Sequence, residues 1–196
     1  MKHGSAITFS LGFVSALAAG WLGFPRLLYV NASQPLPFSH KRHAAEATGM
    51  SCNDCHAFRA DGSFAGIPKT ESCANCHAEV QGQSTAEKTL VEEYVKPGKE
   101  IPWRIYARQP DNVFFPHAAH VKRAKISCER CHGPHGQSAE LRPFELNRIS
   151  GYSRDIWGPS LARIGLKEWQ GMKMGDCLHC HTQQGRGGTS CLACHR

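Results

Sequence analysis

Every cysteine in this chain belongs to one repeated five-residue pattern, in which two cysteines three positions apart are followed at once by histidine. The copies are Cys52, Cys55 and His56; Cys73, Cys76 and His77; Cys128, Cys131 and His132; Cys177, Cys180 and His181; and Cys191, Cys194 and His195. That spacing lets two thiols reach the two vinyl groups of one porphyrin while the adjacent imidazole meets the iron. Five copies use all 10 cysteines. Zinc ribbons and disulfides also use paired cysteines, but neither needs a histidine after every second one. The pattern therefore predicts five covalently bound haem c groups, with the chain wrapped around porphyrins rather than around an ordinary apolar core.

Seven histidines are not the closing residue of a motif. His3 precedes the first apolar segment, which leaves His40, His43, His117, His120, His135 and His179 as candidates for the second axial position of each iron. His40 and His43 follow Phe38, and His117 and His120 follow Phe115, so one Phe-x-His-x-x-His element occurs twice. In each copy the first motif cysteine, Cys52 or Cys128, lies 12 or 11 residues after the first histidine. Ser39 is placed as an N-cap and Pro116 as a first-turn residue, with Gly49 available to stop the first helix. Histidines at i and i+3 share a helix face, so each pair can reach two neighbouring irons. His135 completes a set of five, and His179 is the least suited because it lies inside its own motif loop. Bis-histidine coordination at every iron closes the position that a substrate would need, which suits electron transfer. Met50, Met172 and Met174 are the alternative ligands, and any of them would raise the potential of its iron.

From Gly4 to Pro25 there is no charged residue, and the run from Ala6 to Phe24 approaches the ~20 apolar residues that span a bilayer as a helix. Its length favours a retained transmembrane anchor (residues 1–30) over a cleaved signal, although Ala16 and Ala18 form an acceptable small-x-small cleavage site. A short basic N-terminus places the start in the cytoplasm and the haem domain in the periplasm, on the inner membrane. Residues 31–37, with Pro35 and Pro37, read as a short tether. Two haem modules follow, 38–111 with two motifs and 112–196 with three. The predicted fold is mostly α-helical with abundant loops and little sheet.

The formal charge of +7 would invite a nucleic-acid reading. Ionised propionates on five haems bring the holoprotein to about +2 oxidised and about −3 reduced, so no nucleic-acid partner is expected. Between the second and third motifs, Ser84 to Glu87 forms a capping-box pattern. Leu90, Val91, Tyr94 and Val95 make an apolar face, and Pro97-Gly98 is a stop, which predicts a helix over Thr85 to Val95. The insert from Gly136 to Asp176 carries Phe144, Tyr152, Trp157, Trp169 and Met172, read as cover for haem edges or as a subunit contact. Arg142, Arg148, Arg154 and Arg163 are its propionate or partner groups.

The Phe-x-His-x-x-His element followed by the cysteine motif resembles the class III multihaem cytochromes of the c3 and c7 type, from Pro37 onward. Together with the anchor and the segments 101–117 and 147–157, the chain is similar to the multihaem subunits of menaquinone reductase and alternative complex III assemblies. That resemblance implies an electron-transfer subunit with no catalytic site of its own. Its partners would be iron-sulfur and molybdopterin-oxidoreductase-like subunits, a polytopic quinone-binding membrane subunit and soluble periplasmic cytochrome c. The competing expectations are a membrane-anchored quinol dehydrogenase, a freestanding anchored shuttle and a nitrite-reductase-type enzyme. The last needs an open iron position, often with lysine in place of a motif histidine, and all five motifs here end in histidine.

Overall fold

A computed structural model describes residues 2–44, 48–62, 66–105, 111–149, 167, 169, 172–186 and 190–195. Tyr152, Arg154, Trp157 and Arg163, named above as haem cover or partner contacts, lie outside these residues. The described chain divides into two units, one drawn from residues 1–32 and 145–189 and the other from 33–105, 109–144 and 190–196.

In the first unit, α1 (Lys2–Ala18) runs through a wider turn at Ala19–Gly23 into α2 (Phe24–Leu27). The Phe24 N–H reaches back five residues to the Ala19 carbonyl. Gly4–Gly23 is one apolar stretch of 20 residues, none of it buried, with Phe9, Phe13, Val14 and Trp21 all exposed. A helix that is apolar on all sides and uncovered by protein suits a bilayer environment. Its length and composition fit a membrane anchor or a signal segment. Beyond it, β1 (Tyr29–Ala32) pairs with β2 (Phe144–Asn147) in a two-stranded sheet, and the Arg148 N–H continues the pairing to the Leu28 carbonyl at 2.8 Å. Asn31 and Ala32, which the sequence reads as the start of a tether, thus close a strand. The unit also holds α8 (Met174–Gln183), with the fourth cysteine motif.

The second unit is built from short helices joined by loops: α3 (His40–His43), α4 (Cys52–Cys55), α5 (Thr70–His77), α6 (Thr85–Thr89), α7 (Cys128–His132) and α9 (Cys191–Cys194). Four of the five cysteine motifs are preceded by serine: Ser51, Ser72, Ser127 and Ser190. Ser51, Ser127 and Ser190 occupy the N-cap position of their helices, and at Ser51 a capping box with Asp54 supports a helix of only four residues, which has few internal hydrogen bonds to hold it. The Asp54 carboxylate accepts from both the N–H and the hydroxyl of Ser51 at 2.6 and 2.9 Å.

Leu36, Leu90 and Ile101 form the buried cluster of this unit, ringed by Cys73, Ala86, Tyr94, Val95 and Trp103. Leu36 comes from the predicted tether, so that segment is docked. Gln34 exchanges two hydrogen bonds with the Arg104 backbone at 2.9 and 3.0 Å, and the Arg104 Nε donates to the Ser33 carbonyl. Among the described residues six hydrophobic side chains are buried.

The helix predicted over Thr85–Val95 is present in altered form. It is α-helical to Thr89, and Leu90–Val95 then widens, with Lys96 N–H bonding the Val91 carbonyl and Lys99 N–H the Tyr94 carbonyl. The predicted capping box is absent, because Ser84 makes no side-chain cap and Glu87 bonds elsewhere. Gly49 adopts a positive φ of 63°, yet α3 already ends at His43, so this glycine serves a later turn.

Candidate functional site: histidines presented for metal

The two Phe-x-His-x-x-His elements adopt nearly the same geometry. Phe38 meets His40 edge-on at 4.9 Å and 85°, and Phe115 meets His117 at 4.9 Å and 85°. The second histidine of each stacks on the same phenylalanine, at 4.4 Å and 19° for His43 and 4.4 Å and 18° for His120. One ring per element thus braces two imidazoles in different orientations, which explains the recurring aromatic. In the first element Ser39 is the N-cap, its hydroxyl accepting from the Arg42 N–H at 3.4 Å. In the second, His117 leads into the wider turn Ala118–Arg123.

Hydrogen bonds then settle which ring nitrogen is available. A carbonyl can only accept, so a histidine whose Nδ1 meets one donates there and, when neutral, is unprotonated at Nε2. His43 Nδ1 meets the Ser39 carbonyl at 2.8 Å, His120 Nδ1 the Pro116 carbonyl at 3.0 Å and His56 Nδ1 the Gly66 carbonyl at 2.9 Å. At His40 the logic runs through Ser138, whose hydroxyl gives its one proton to the His135 carbonyl at 2.7 Å and so accepts from His40 Nδ1 at 3.3 Å. His77 Nδ1 donates to the Glu87 carboxylate at 2.9 Å. All five imidazoles therefore present Nε2, the arrangement typical of metal-ligating histidine with an outer-shell acceptor. His179 differs: it is exposed and its Nε2 is engaged by Gln183 at 2.9 Å.

Ring spacing tests the fit to a metal directly. A ligating imidazole nitrogen sits about 2 Å from its metal, and the ring centre lies ~1 Å further out, so two imidazoles on opposite sides of one metal stand roughly 6 Å apart. His43 and His77 are 6.3 Å apart with planes inclined at 59°; His117 and His132 are 6.3 Å apart and almost parallel at 7°. Each pair joins a repeat histidine to a motif histidine, and each gap fits one iron. His40 and His135 lie 6.1 Å apart, two candidate second ligands side by side.

Electrostatics favour the ligating form. Burial, then the neighbouring His56 and His43, lowers the pKa of His40; burial, then His120, lowers that of His117; burial, then Arg142 and His40, lowers that of His135. All three imidazoles are thereby held neutral, as metal binding requires. Burial first raises the thiols of Cys52, Cys55 and Cys73, with Cys128 adding to the shift at Cys52 and Asp54 to that at Cys55. These surroundings do not favour the thiolates a zinc site uses. None of the ten cysteines is joined to another in a disulfide. Among the described residues, no three His, Cys, Asp or Glu side chains converge into a metal cluster. The presented donors are single imidazoles, or pairs, as a porphyrin-bound iron requires.

Two anchors hold α5, which carries Cys73, Cys76 and His77. At its start, the Thr70 N–H and hydroxyl bond Glu100 at 2.9 and 3.2 Å, and the Ile101 N–H returns to the Thr70 hydroxyl at 3.1 Å. At its end stands the His77–Glu87 contact. The last motif is tied to the second repeat, with Phe114 N–H bonding the Cys194 carbonyl at 2.8 Å and Val113 bridging His195. Short helices were expected from the sequence, but not that the cysteine motifs would lie on them. The roles of Glu87, Glu100 and Ser138 were not readable from it either, because each acts on a residue distant in the chain.

Comparison with known proteins agrees with this chemistry. The cytochrome c3 family matches residues 42–142. The menaquinone reductase multiheme cytochrome c subunit of Nitratidesulfovibrio vulgaris is 40% identical over 207 aligned residues, covering 98% of this chain and 91% of that protein. With cysteine motifs for multiple covalent haems and histidines presenting Nε2, the chain belongs to the cytochrome c3 family of multihaem cytochromes c.

Proposed function

We propose that the chain is a pentahaem electron-transfer subunit of a membrane-bound quinone oxidoreductase. Its five cysteine motifs would each attach one haem c through the paired thiols, with His56, His77, His132, His181 and His195 as proximal ligands. The haems, when bound, supply one-electron redox chemistry; the protein's work is to hold, orient and insulate them. Ring spacing supports His43 as the second ligand opposite His77 and His117 opposite His132. Proximity supports His40 for the His56 iron and His120 for the His195 iron, since His56 perturbs His40 and the last motif is bonded to Phe114 and bridged to Val113, just before Phe115. His135 completes the set by count.

The observation that carries this reading is the common presentation of Nε2 by residues from both repeats. Filled on both faces, such irons leave no site for substrate, which disfavours a nitrite-reductase-type enzyme. The apolar Gly4–Gly23 helix would be retained as an inner-membrane anchor with the haem domain in the periplasm. In line with the menaquinone reductase relative, electrons would pass between soluble periplasmic cytochrome c and an iron-sulfur partner subunit. Quinone would be handled by a polytopic membrane subunit, beside a molybdopterin-oxidoreductase-like subunit.

Purification in mild detergent with subunit identification by mass spectrometry tests this, followed by separate reduction with a quinol and with reduced cytochrome c3. Copurification of those subunits and rapid reduction by the cytochrome are expected. A lone chain whose haems accept electrons directly from quinol would overturn the proposal in favour of an anchored quinol dehydrogenase.

A further inference from the structure

Among the five histidines whose Nδ1 partner is described, His77 alone faces an anion. His40, His43, His56 and His120 meet a hydroxyl or backbone carbonyls, whereas His77 Nδ1 lies 2.9 Å from Glu87 Oε1. Glu87 is itself held in place. Its Oε1 also accepts from the Gln81 N–H at 3.1 Å, its Oε2 accepts from the Gly82 N–H at 2.9 Å, and its side chain is only 12% exposed. Gly82 approaches so closely that a Cβ there would stand 3.1 Å from Oε2, and the carboxylate would have to give by a few tenths of an ångström to admit it. With the His77 Nδ1–H and the Gln81 and Gly82 N–H groups all converging on it, the carboxylate is seated as the acceptor behind this imidazole.

We propose that Glu87 is a positioning residue that sets the reduction potential of the iron ligated by His77. By drawing the Nδ1 proton, the carboxylate makes the imidazole a stronger electron donor through Nε2, and its charge stabilises the ferric over the ferrous state; both effects lower the potential. His43, across the 6.3 Å gap, has only the neutral Ser39 carbonyl behind it. The asymmetry is therefore built on the proximal side alone. It places this haem lower in potential than the same iron would be with a carbonyl-backed histidine.

The inference rests on the cytochrome reading, and the experiment separates the two. Glu87→Gln in the full-length holoprotein keeps an acceptor for Nδ1 but removes the charge. Potentiometric titration is expected to show one haem rising by about tenfold in its reduction equilibrium, ~59 mV for a one-electron couple, with the others unmoved. Intact mass and the low-spin optical spectrum should be unchanged. Unmoved potentials with every haem attached would overturn the inference and leave the cytochrome reading standing, whereas a wild-type mass without haem would overturn the cytochrome reading itself. If Glu87→Gln loses haem, Glu87→Asp decides. It keeps the charge but retracts it from Nδ1, so a smaller rise at the same haem is expected, and no rise would count against the role.

Discussion

The two Phe-x-His-x-x-His elements share an internal geometry to within a degree of ring inclination, yet they face their motif histidines differently. In the first, the second histidine, His43, is set opposite His77 at an inclination of 59°; in the second, the first histidine, His117, is set opposite His132 at 7°. The local sequence builds the same cradle twice. Which imidazole meets which motif, and at what angle, is decided by where the tertiary fold carries the motif helix. α5 is pinned from afar by Glu100 and Glu87, whereas α7 follows its own repeat directly after Ile126, whose N–H bonds the His120 carbonyl at 3.0 Å. One repeat therefore meets two motif histidines at two different inclinations.

The strongest test of that difference exchanges ligands. His43→Met and His117→Met should each raise the potential of one iron by more than the ~59 mV that marks a tenfold change, and potentiometry should assign the two effects to different haems. If both substitutions move the same haem, the pairing across the two elements is wrong. A smaller effect probes the shared cradle. Phe115→Ala removes two ring contacts and Phe38→Ala the same two plus the edge contact to Trp103 at 6.5 Å, so both should destabilise the holoprotein by about 1 kcal/mol or somewhat more, Phe38→Ala by the larger amount. A larger loss in Phe115→Ala than in Phe38→Ala in thermal unfolding would break this ordering. Smallest is Ser39→Ala, which removes a long 3.4 Å cap that has no counterpart in the second element. A loss of about 0.5 kcal/mol is expected in the same assay, and no change would mean that Phe38 and the His43 bond to the Ser39 carbonyl hold this turn alone.

These comparisons also mark what could be read from sequence. Phe38, Ser39, His40 and His43 interact within six residues, so spacing and residue type were enough to anticipate the cradle and its cap. Glu87 was read as a capping-box partner of Ser84 because it stands three residues after it. In the fold it turns back to Gln81, Gly82 and His77, where three N–H donors outbid one serine. Leu36 looked like part of a tether because Pro35 and Pro37 flank it, and only packing against Leu90 and Ile101 reveals it as core. The widening at Leu90–Val95 was equally hidden, since either helical period puts Leu90, Val91, Tyr94 and Val95 on the inner side. Local contacts were legible; long-range acceptors were not.

Low-temperature electron paramagnetic resonance of the fully oxidised holoprotein tests the central claim most directly, because the angle between two axial imidazoles governs the g anisotropy of a low-spin ferric haem. The account predicts that every iron is low-spin, with one signal typical of near-parallel planes from the His117–His132 pair and a more anisotropic one from the inclined His43–His77 pair. The first should vanish in His117→Met and the second in His43→Met. A high-spin ferric signal in the untreated protein, or loss of the same signal in both variants, would contradict it.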